Sequence, residues 1–380
     1  MKWSWKIGRF AGIDVYLHTT FLLLIGWVGF SYWLQTRNVS STVEGIGFLL
    51  ALFASVVLHE YGHALTARRY GIKTRDITLL PIGGMARLER MPDQPIQEFW
   101  VALAGPMVNV LISAVLFAYL VVTNTLAPIS GLSLTSGPFL ERLMSVNITL
   151  VLFNLLPAFP MDGGRVVRAL LAMRLDYSRA THVAATIGQG MAFVFGFIGL
   201  FTNPMLVFIA LFVWIGAAQE SSVAQVKSAI GGIPVNRVML TDFQFLTPQD
   251  NLARAIQLIL EGSQHDFPVL ENDRVVGILT RGDVIKGLSE GGQSTPVVNV
   301  MRRDFEVVHP GDMLEPAFSR LQECKCHIFP VMQDDRLVGL LTTENVGEFM
   351  MIQSAIRQRS LNPAMQDLNR AGLPPHQREI

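Results

Sequence analysis

Apolar positions dominate the chain as far as residue 218 and thin out sharply after residue 231. Long, nearly uncharged runs at residues 21–34, 43–67, 99–122, 139–156, 183–201 and 205–218 predict about six membrane-spanning helices. Between the second and third runs, residues 76–88 have strand character around Pro81, Gly83 and Gly84. That stretch is too short to span, so it is either a β-hairpin dipping beside the helices or a plain connecting loop. Residues 1–15 alternate enough for one short surface strand. In the last third, polar and apolar positions alternate in short strands interleaved with amphipathic helices, the pattern of a soluble α/β domain. The division is therefore a membrane domain over residues 1–220, a linker at 221–234, soluble modules at 235–295 and 296–355, and a polar, disordered tail at 356–380.

Three ionisable residues interrupt the second apolar run: His59, Glu60 and His63. An ionisable group at the centre of a bilayer costs roughly 2.5 to 3.5 kcal/mol, so such groups face a partner or a polar cavity. His59 and His63 are four residues apart, and at about 100° per residue both imidazoles share one helix face. Glu60 sits on the flank. This is the H-E-x-x-H arrangement, two zinc ligands and a carboxylate able to act as general base.

A third ligand has to come from elsewhere. After the fourth run, Pro157 and Pro160 interrupt the helix and Gly163-Gly164 permit an unusual backbone course, which offers Asp162 on a broken segment. Asp162 is expected as the third ligand, with helix capping as the rival role. Within the third run, Gly105 reads as a close helix-packing position, while Asn109 is packing glue, a group behind a ligand or a substrate contact.

Charge assigns the sides. Lys2, Lys6 and Arg9 precede the first run, Arg68, Arg69, Lys73 and Arg75 follow the second, and Arg165, Arg168, Arg174 and Arg179 follow Asp162, whereas residues 123–138 hold no Lys or Arg. The positive-inside rule then puts both termini, the metal site's end of the bundle and the soluble modules on the cytoplasmic side of a lipid bilayer. With 30 basic and 30 acidic residues the net charge is zero, which removes any case for nucleic-acid binding. Cys324 and Cys326 are the only cysteines, too few for a disulfide framework, and a core or strand-entry role suffices for them.

The soluble part repeats itself at an offset of 62: Met239 and Met301, Pro248 and Pro310, Pro268 and Pro330, Gly277 and Gly339, Thr280 and Thr342. Each copy reads strand, helix, strand, strand, helix.

With His59-Glu60-Tyr61-Gly62-His63, Asn154-x-x-Pro157-x-x-Pro160-x-Asp162-Gly163, the Gly83-Gly84 hairpin and Ala104-Gly105-Pro106 in order, residues 1–220 resemble the site-2 protease family of intramembrane zinc metalloproteases. Gly277-x-x-Thr280-x-x-Asp283 and Gly339-x-x-Thr342-x-x-Asn345 resemble a tandem pair of cystathionine-β-synthase (CBS) modules. The resemblance implies a polytopic α-helical membrane protease with a short β-hairpin and a cytoplasmic α/β CBS pair, in a prokaryotic cell membrane. It implies one zinc ion on His59, His63 and Asp162, with Glu60 as general acid and base. Asn154 matches a family asparagine that contacts the substrate or the developing oxyanion, and Gly83, Gly84 and Asn109 join it as substrate-side candidates. The exposed edge at residues 77–88 would hold an unwound transmembrane protein substrate by strand addition.

For the CBS pair, the resemblance implies adenine nucleotide (ATP, ADP or AMP) at Thr280, Asp283 and Thr342. Asn345 replaces the aspartate in the second copy, a departure from the pattern. CBS pairs also serve as ligand-free dimerisation modules, which makes a homodimer the other expectation. The function expected is regulated intramembrane proteolysis; its rivals are a CBS-gated ion or metal transporter and an inert scaffold.

Overall fold

The computed structural model describes residues 3–361 except 82, 93, 127–136 and 325–326, and the side chains of residues 357–361 are also outside the description. The described residues form two compact units that divide between Ala224 and Gln225.

The first unit opens with β1 (Ser4–Phe10) and β2 (Ile13–His18), an antiparallel hairpin turned at Ala11 and Gly12, both at positive φ. One strand was expected here and two form. His18 ends β2 and caps α1 (Thr19–Thr36), its Nδ1 accepting from the Thr20 N–H. Asn38 then caps α2 (Val39–Arg69) through Oδ1 and the Ser40 N–H at 2.9 Å. The chain returns as β3 (Thr74–Leu80), parallel to β2, and turns into β4 (Gly83–Leu88), antiparallel to β3. The expected hairpin is therefore half of a four-stranded sheet in the order β1-β2-β3-β4. Its parallel pair requires a crossover, and α1 and α2 supply it.

Then come α3 (Pro95–Val122), α4 (Phe139–Asn154), α5 (Asp162–Ala172), α6 (Tyr177–Phe201) and α7 (Pro204–Ile230). Among the described residues four helices, α2, α3, α6 and α7, are long and apolar enough to cross a membrane. The other two expected spans are helices of 18 residues (α1) and 16 residues (α4). At 1.5 Å per residue these reach only about 27 and 24 Å, short of a hydrocarbon core of roughly 30 Å. α4 also carries Glu141 and Arg142, both buried, with the Arg142 guanidinium 4.4 Å from the Phe48 ring centre.

In the second unit each repeat folds as a helix and a hairpin followed by a helix: α8 (Leu252–Glu261), β5 (Phe267–Glu271), β6 (Arg274–Leu279) and α9 (Arg281–Gly291), then α10 (Leu314–Glu323), β7 (Ile328–Gln333), β8 (Arg336–Thr342) and α11 (Thr343–Leu361). The expected leading strand of each copy shrinks to one parallel bridge, Leu246 to Val269 and Val308 to Val331. Both hairpins turn on two residues at positive φ, Asn272-Asp273 and Asp334-Asp335, the geometry that suits right-twisted strands. α11 runs past residue 356, where the tail was expected; the rest of that tail is outside the described residues.

The modules exchange their leading segments. Val235 and Val238, from the start of the first copy, sit in the core of the second with Phe329 and Leu341. Val297, with Val300 and Met301 beside it, sits in the core of the first with Phe267 and Leu279. Backbone bridges accompany the exchange, Leu240 to Leu340 and Arg302 to Ile278. Phe267 and Phe329 occupy equivalent, fully buried places. Phe267→Ala and Phe329→Ala are each expected to cost about 3–5 kcal/mol, read as equal downward shifts in the denaturation midpoint of this unit. Unequal shifts would mean that the two cores are not equivalent.

Candidate metal centre

His59 and His63 lie on the last turns of α2, and both are buried. Their Nε2 atoms are 3.0 Å apart. Asp162 arrives from the chain break between α4 and α5 and sets Oδ2 3.1 Å from His59 Nε2 and 3.2 Å from His63 Nε2. The capping role weighed for Asp162 is not what forms. Met161 occupies the N-cap position of α5 without a side-chain cap bond, and the Asp162 carboxylate turns to the histidines.

The paired glycines after Asp162 work differently from expectation. Both lie in the first turn of α5 at ordinary helical φ, and a Cβ on Gly163 would come 2.2 Å from the Leu156 carbonyl oxygen. Their smallness, rather than an unusual φ, lets α5 start against the loop that precedes it. α5 is then held by Arg168, fully buried, whose Nε donates to Glu98 Oε1 of α3 at 2.7 Å. Glu220 of α7 lies 3.5 Å from Arg168 Nη1. Arg168 was counted above as a side-setting charge. It is instead the internal tie between α5 and α3, and only Arg174 and Arg179 of that group are exposed.

The far nitrogens of the two rings are also committed. His63 Nδ1 lies 2.7 Å from the Val101 carbonyl oxygen, which can only accept, so the proton is on Nδ1 and the Nε2 lone pair faces inward. His59 Nδ1 lies 2.5 Å from Asn109 Oδ1. Asn109 is wholly buried and its amide is shared between His59 and Asn147, which excludes it as a substrate contact and makes it a support for His59. Two ring nitrogens and a carboxylate oxygen thus converge at a buried point, an electron-rich set that a cation would stabilise. Two imidazoles and a carboxylate are the donors of a catalytic zinc site with one position left open.

Gly105 of α3 makes the space. A Cβ there would stand 2.2 Å from His63 Nε2 and 2.5 Å from His59 Nε2, closer than any side chain tolerates. Among the described residues this is the one cluster able to hold a metal ion.

Glu60, the next residue on α2, is half-buried, and its Oε2 accepts from the Ala86 N–H of β4 at 3.1 Å. Gly83 opens β4 at φ +139, a conformation suited to glycine, and a Cβ on Gly84 would meet Glu60 Cγ at 2.8 Å. The hairpin glycines therefore let the edge strand close onto the carboxylate. Asn154 ends α4 half-buried and makes no side-chain hydrogen bond among the described residues. The sequence reading overlooked Asn147 and Glu98 and took Arg168 for a side-setting charge. Their signal was present as polar residues inside or beside apolar runs, but not their partners.

In the second unit, Thr280 caps α9 in a reciprocal box with Asp283. Asp283 also takes two oxygens' worth of contact from Arg302, at 2.8 Å from Nε and 3.0 Å from Nη2, and this carboxylate raises the Arg302 pKa further. In the second copy Thr342 Oγ1 donates to Asn345 Oδ1 and accepts from the Asn345 N–H, with an amide where the first copy has the Asp283 carboxylate.

A profile of Peptidase family M50 matches residues 47–136 and 131–197, and one of the CBS domain matches residues 235–290 and 297–350. The chain is 34% identical to a zinc metalloprotease of Methanocaldococcus jannaschii over 288 residues, 75% of this chain and 80% of that one. A Synechocystis relative is 33% identical over 92% of this chain and 96% of its own. A solved site-2 protease from Methanocaldococcus jannaschii, 38% identical, covers 58% of this chain and 95% of its own with a TM-score of 0.42.

Gly105→Ala is expected to lower the metal content of purified protein at least about tenfold, since a methyl group would occupy the donors' meeting point. Atomic emission on protein of unchanged helicity checks this; full metal content would show that the donors meet elsewhere.

Proposed function

The chain belongs to peptidase family M50 and is a membrane-integral zinc metalloprotease of the site-2 kind, and on that premise we propose that His59, His63 and Asp162 hold one zinc ion with Glu60 as general base and acid. The observation that carries this is the convergence of the three donor atoms within 3.2 Å, one residue from a carboxylate. A zinc ion bound there supplies Lewis-acid polarisation and makes water a stronger acid.

Glu60 takes the proton of the attacking water and later delivers it to the leaving amine nitrogen. The uncommitted amide of Asn154 is assigned to the developing oxyanion. A transmembrane substrate presents its carbonyls tied into a helical ladder, so its segment must unwind to be cut. β4 is the edge of its sheet and Glu60 is already bonded to it, which supports strand addition beside Gly83 and Gly84 as the way the unwound segment is held. Asn109 keeps its place behind His59 rather than a role at the substrate.

The regulatory reading assigns adenine nucleotide to the CBS pair through Thr280, Asp283 and Thr342. In the first copy Asp283 has both oxygens engaged by Arg302, so ribose recognition there requires that pair to open. The second copy lacks the carboxylate. The pair also supplies a surface for a homodimer. The chain is read as multi-pass, with α1 and α4, extended by their flanking residues over the few ångströms they lack, completing six spans in a prokaryotic cell membrane with both termini cytoplasmic; exposed Arg68, Arg69, Arg174 and Arg179 support that orientation. The membrane domain is assigned to residues 1–220 and the modules to 235–295 and 296–355. A transporter is not favoured, because the relatives that cover most of the chain are metalloproteases.

Glu60→Gln is expected to lower kcat for a membrane-spanning substrate by about a hundred- to ten-thousandfold while zinc content stays at the unsubstituted level. Undiminished cleavage by zinc-loaded Glu60→Gln protein would remove Glu60 from the chemistry. For the CBS pair, calorimetry on the full chain with ATP and with AMP is expected to give saturable heat that weakens about tenfold or more in Asp283→Ala. Absence of heat with either nucleotide would end the sensing role.

A further inference from the structure

Four buried polar groups run in line from α4 through α3 to the metal centre: Asn147, Asn109 and His59, with Ser55 of α2 at the start. None of them needs to be polar for packing, and each is an expense inside an apolar bundle unless it is bonded. Their hydrogen-bond directions are forced from one end.

The Leu143 carbonyl oxygen, 2.8 Å from Asn147 Nδ2, can only accept. Ser55 gives its hydroxyl proton to the Ala51 carbonyl at 3.2 Å, so toward Asn147 Nδ2, at 3.3 Å, Ser55 Oγ can only accept as well. Both constraints turn the amide of Asn147 the same way, with its oxygen toward Asn109. Asn147 Oδ1 then accepts from Asn109 Nδ2 at 2.8 Å, which turns Asn109 Oδ1 toward His59 Nδ1 at 2.5 Å. That contact holds only if His59 carries its proton on Nδ1, which leaves the Nε2 lone pair aimed at Asp162 and His63.

We propose that Asn147 is a positioning residue for the metal centre: through Asn109 it sets the tautomer and ring orientation of His59, with the backbone of α4 as the fixed reference. The inference rests on the assignment of His59 as a zinc ligand. It differs from a packing role in one respect. What Asn147 supplies is a direction, and a group at position 109 that has no direction would not need it. An aspartate is such a group, because its carboxylate accepts from His59 whichever way it turns and has no donor for Asn147 to receive.

The test is zinc affinity of the full chain in detergent, measured by competition with a chelator, which reads the site without turnover. Asn147→Leu is expected to weaken zinc about tenfold, the lower end of what a ligand's supporting partner contributes. Asn109→Asp alone sets a carboxylate oxygen against Asn147 Oδ1 and is expected to weaken zinc too. Combined with Asn147→Leu, the same Asn109→Asp substitution is expected to restore affinity to within about threefold of the unsubstituted chain. Rescue of this sign supports the relay, since a variant that merely misfolds is not repaired by a second change. Wild-type affinity in Asn147→Leu, or a double variant no better than Asn147→Leu alone, would overturn it. His59→Ala is the separate control: full zinc affinity there would overturn the ligand assignment itself.

Discussion

Two imidazole nitrogens and a carboxylate oxygen held 3.0 to 3.2 Å apart inside an apolar helix bundle repel one another, and the rest of the membrane unit is arranged to hold them there. In water such a set would turn outward and hydrate. Inside the bundle the low dielectric magnifies both their repulsion and their attraction to a cation, so the backing has to be rigid. α3 supplies most of it. Along that one helix, Glu98 anchors α5, the Val101 carbonyl orients His63, Gly105 clears the donors' meeting point and Asn109 backs His59. α2 carries His59, Glu60 and His63, but α3 decides how they are presented.

The carboxylate side of the site is built by a different device. Pro157 and Pro160 stop α4, a loop packed on α6 and α7 through Ala158, Phe159 and Met161 follows, and α5 begins with Asp162 as its first residue. The buried ion pair of Arg168 with Glu98 then fixes the helix one to two turns beyond Asp162. A pair so buried adds little net stability over apolar packing, whereas breaking it leaves an uncompensated charge. Its evident effect is registry: it keeps α5 at one rotation and depth against α3.

The parts that could be read in advance were those written locally. Spacing gives the shared face of His59 and His63, proline punctuation gives the break before Asp162, and an offset of 62 gives the paired modules. What could not be read depends on which helix crosses which. Asn109 carried three open roles until α4 was seen to bring Asn147 behind it. Arg168 looked like a surface charge because a sequence does not say that Glu98 stands opposite. The strands before α1 were underestimated, since their partner, β3, lies beyond two helices. The leading strand of each CBS copy was overestimated: alternation there reflects one bridge and a row of core contacts. The exchange of leading segments has no local signature at all.

That exchange sets a clock on synthesis. The bridge between Leu240 and Leu340 joins residues 100 positions apart (340 − 240), whereas the two hairpins close on two-residue turns. At roughly 5–20 residues per second, the segment holding Val235 and Val238 emerges about 5–20 s before the strand that will cover it. During that interval its apolar side chains have no native core to enter, because the core they belong to has not been made. The first module meanwhile waits for Val297 and Met301 to complete its own core. The CBS pair therefore matures from the middle outward, and its earliest-made residues are among the last to be buried.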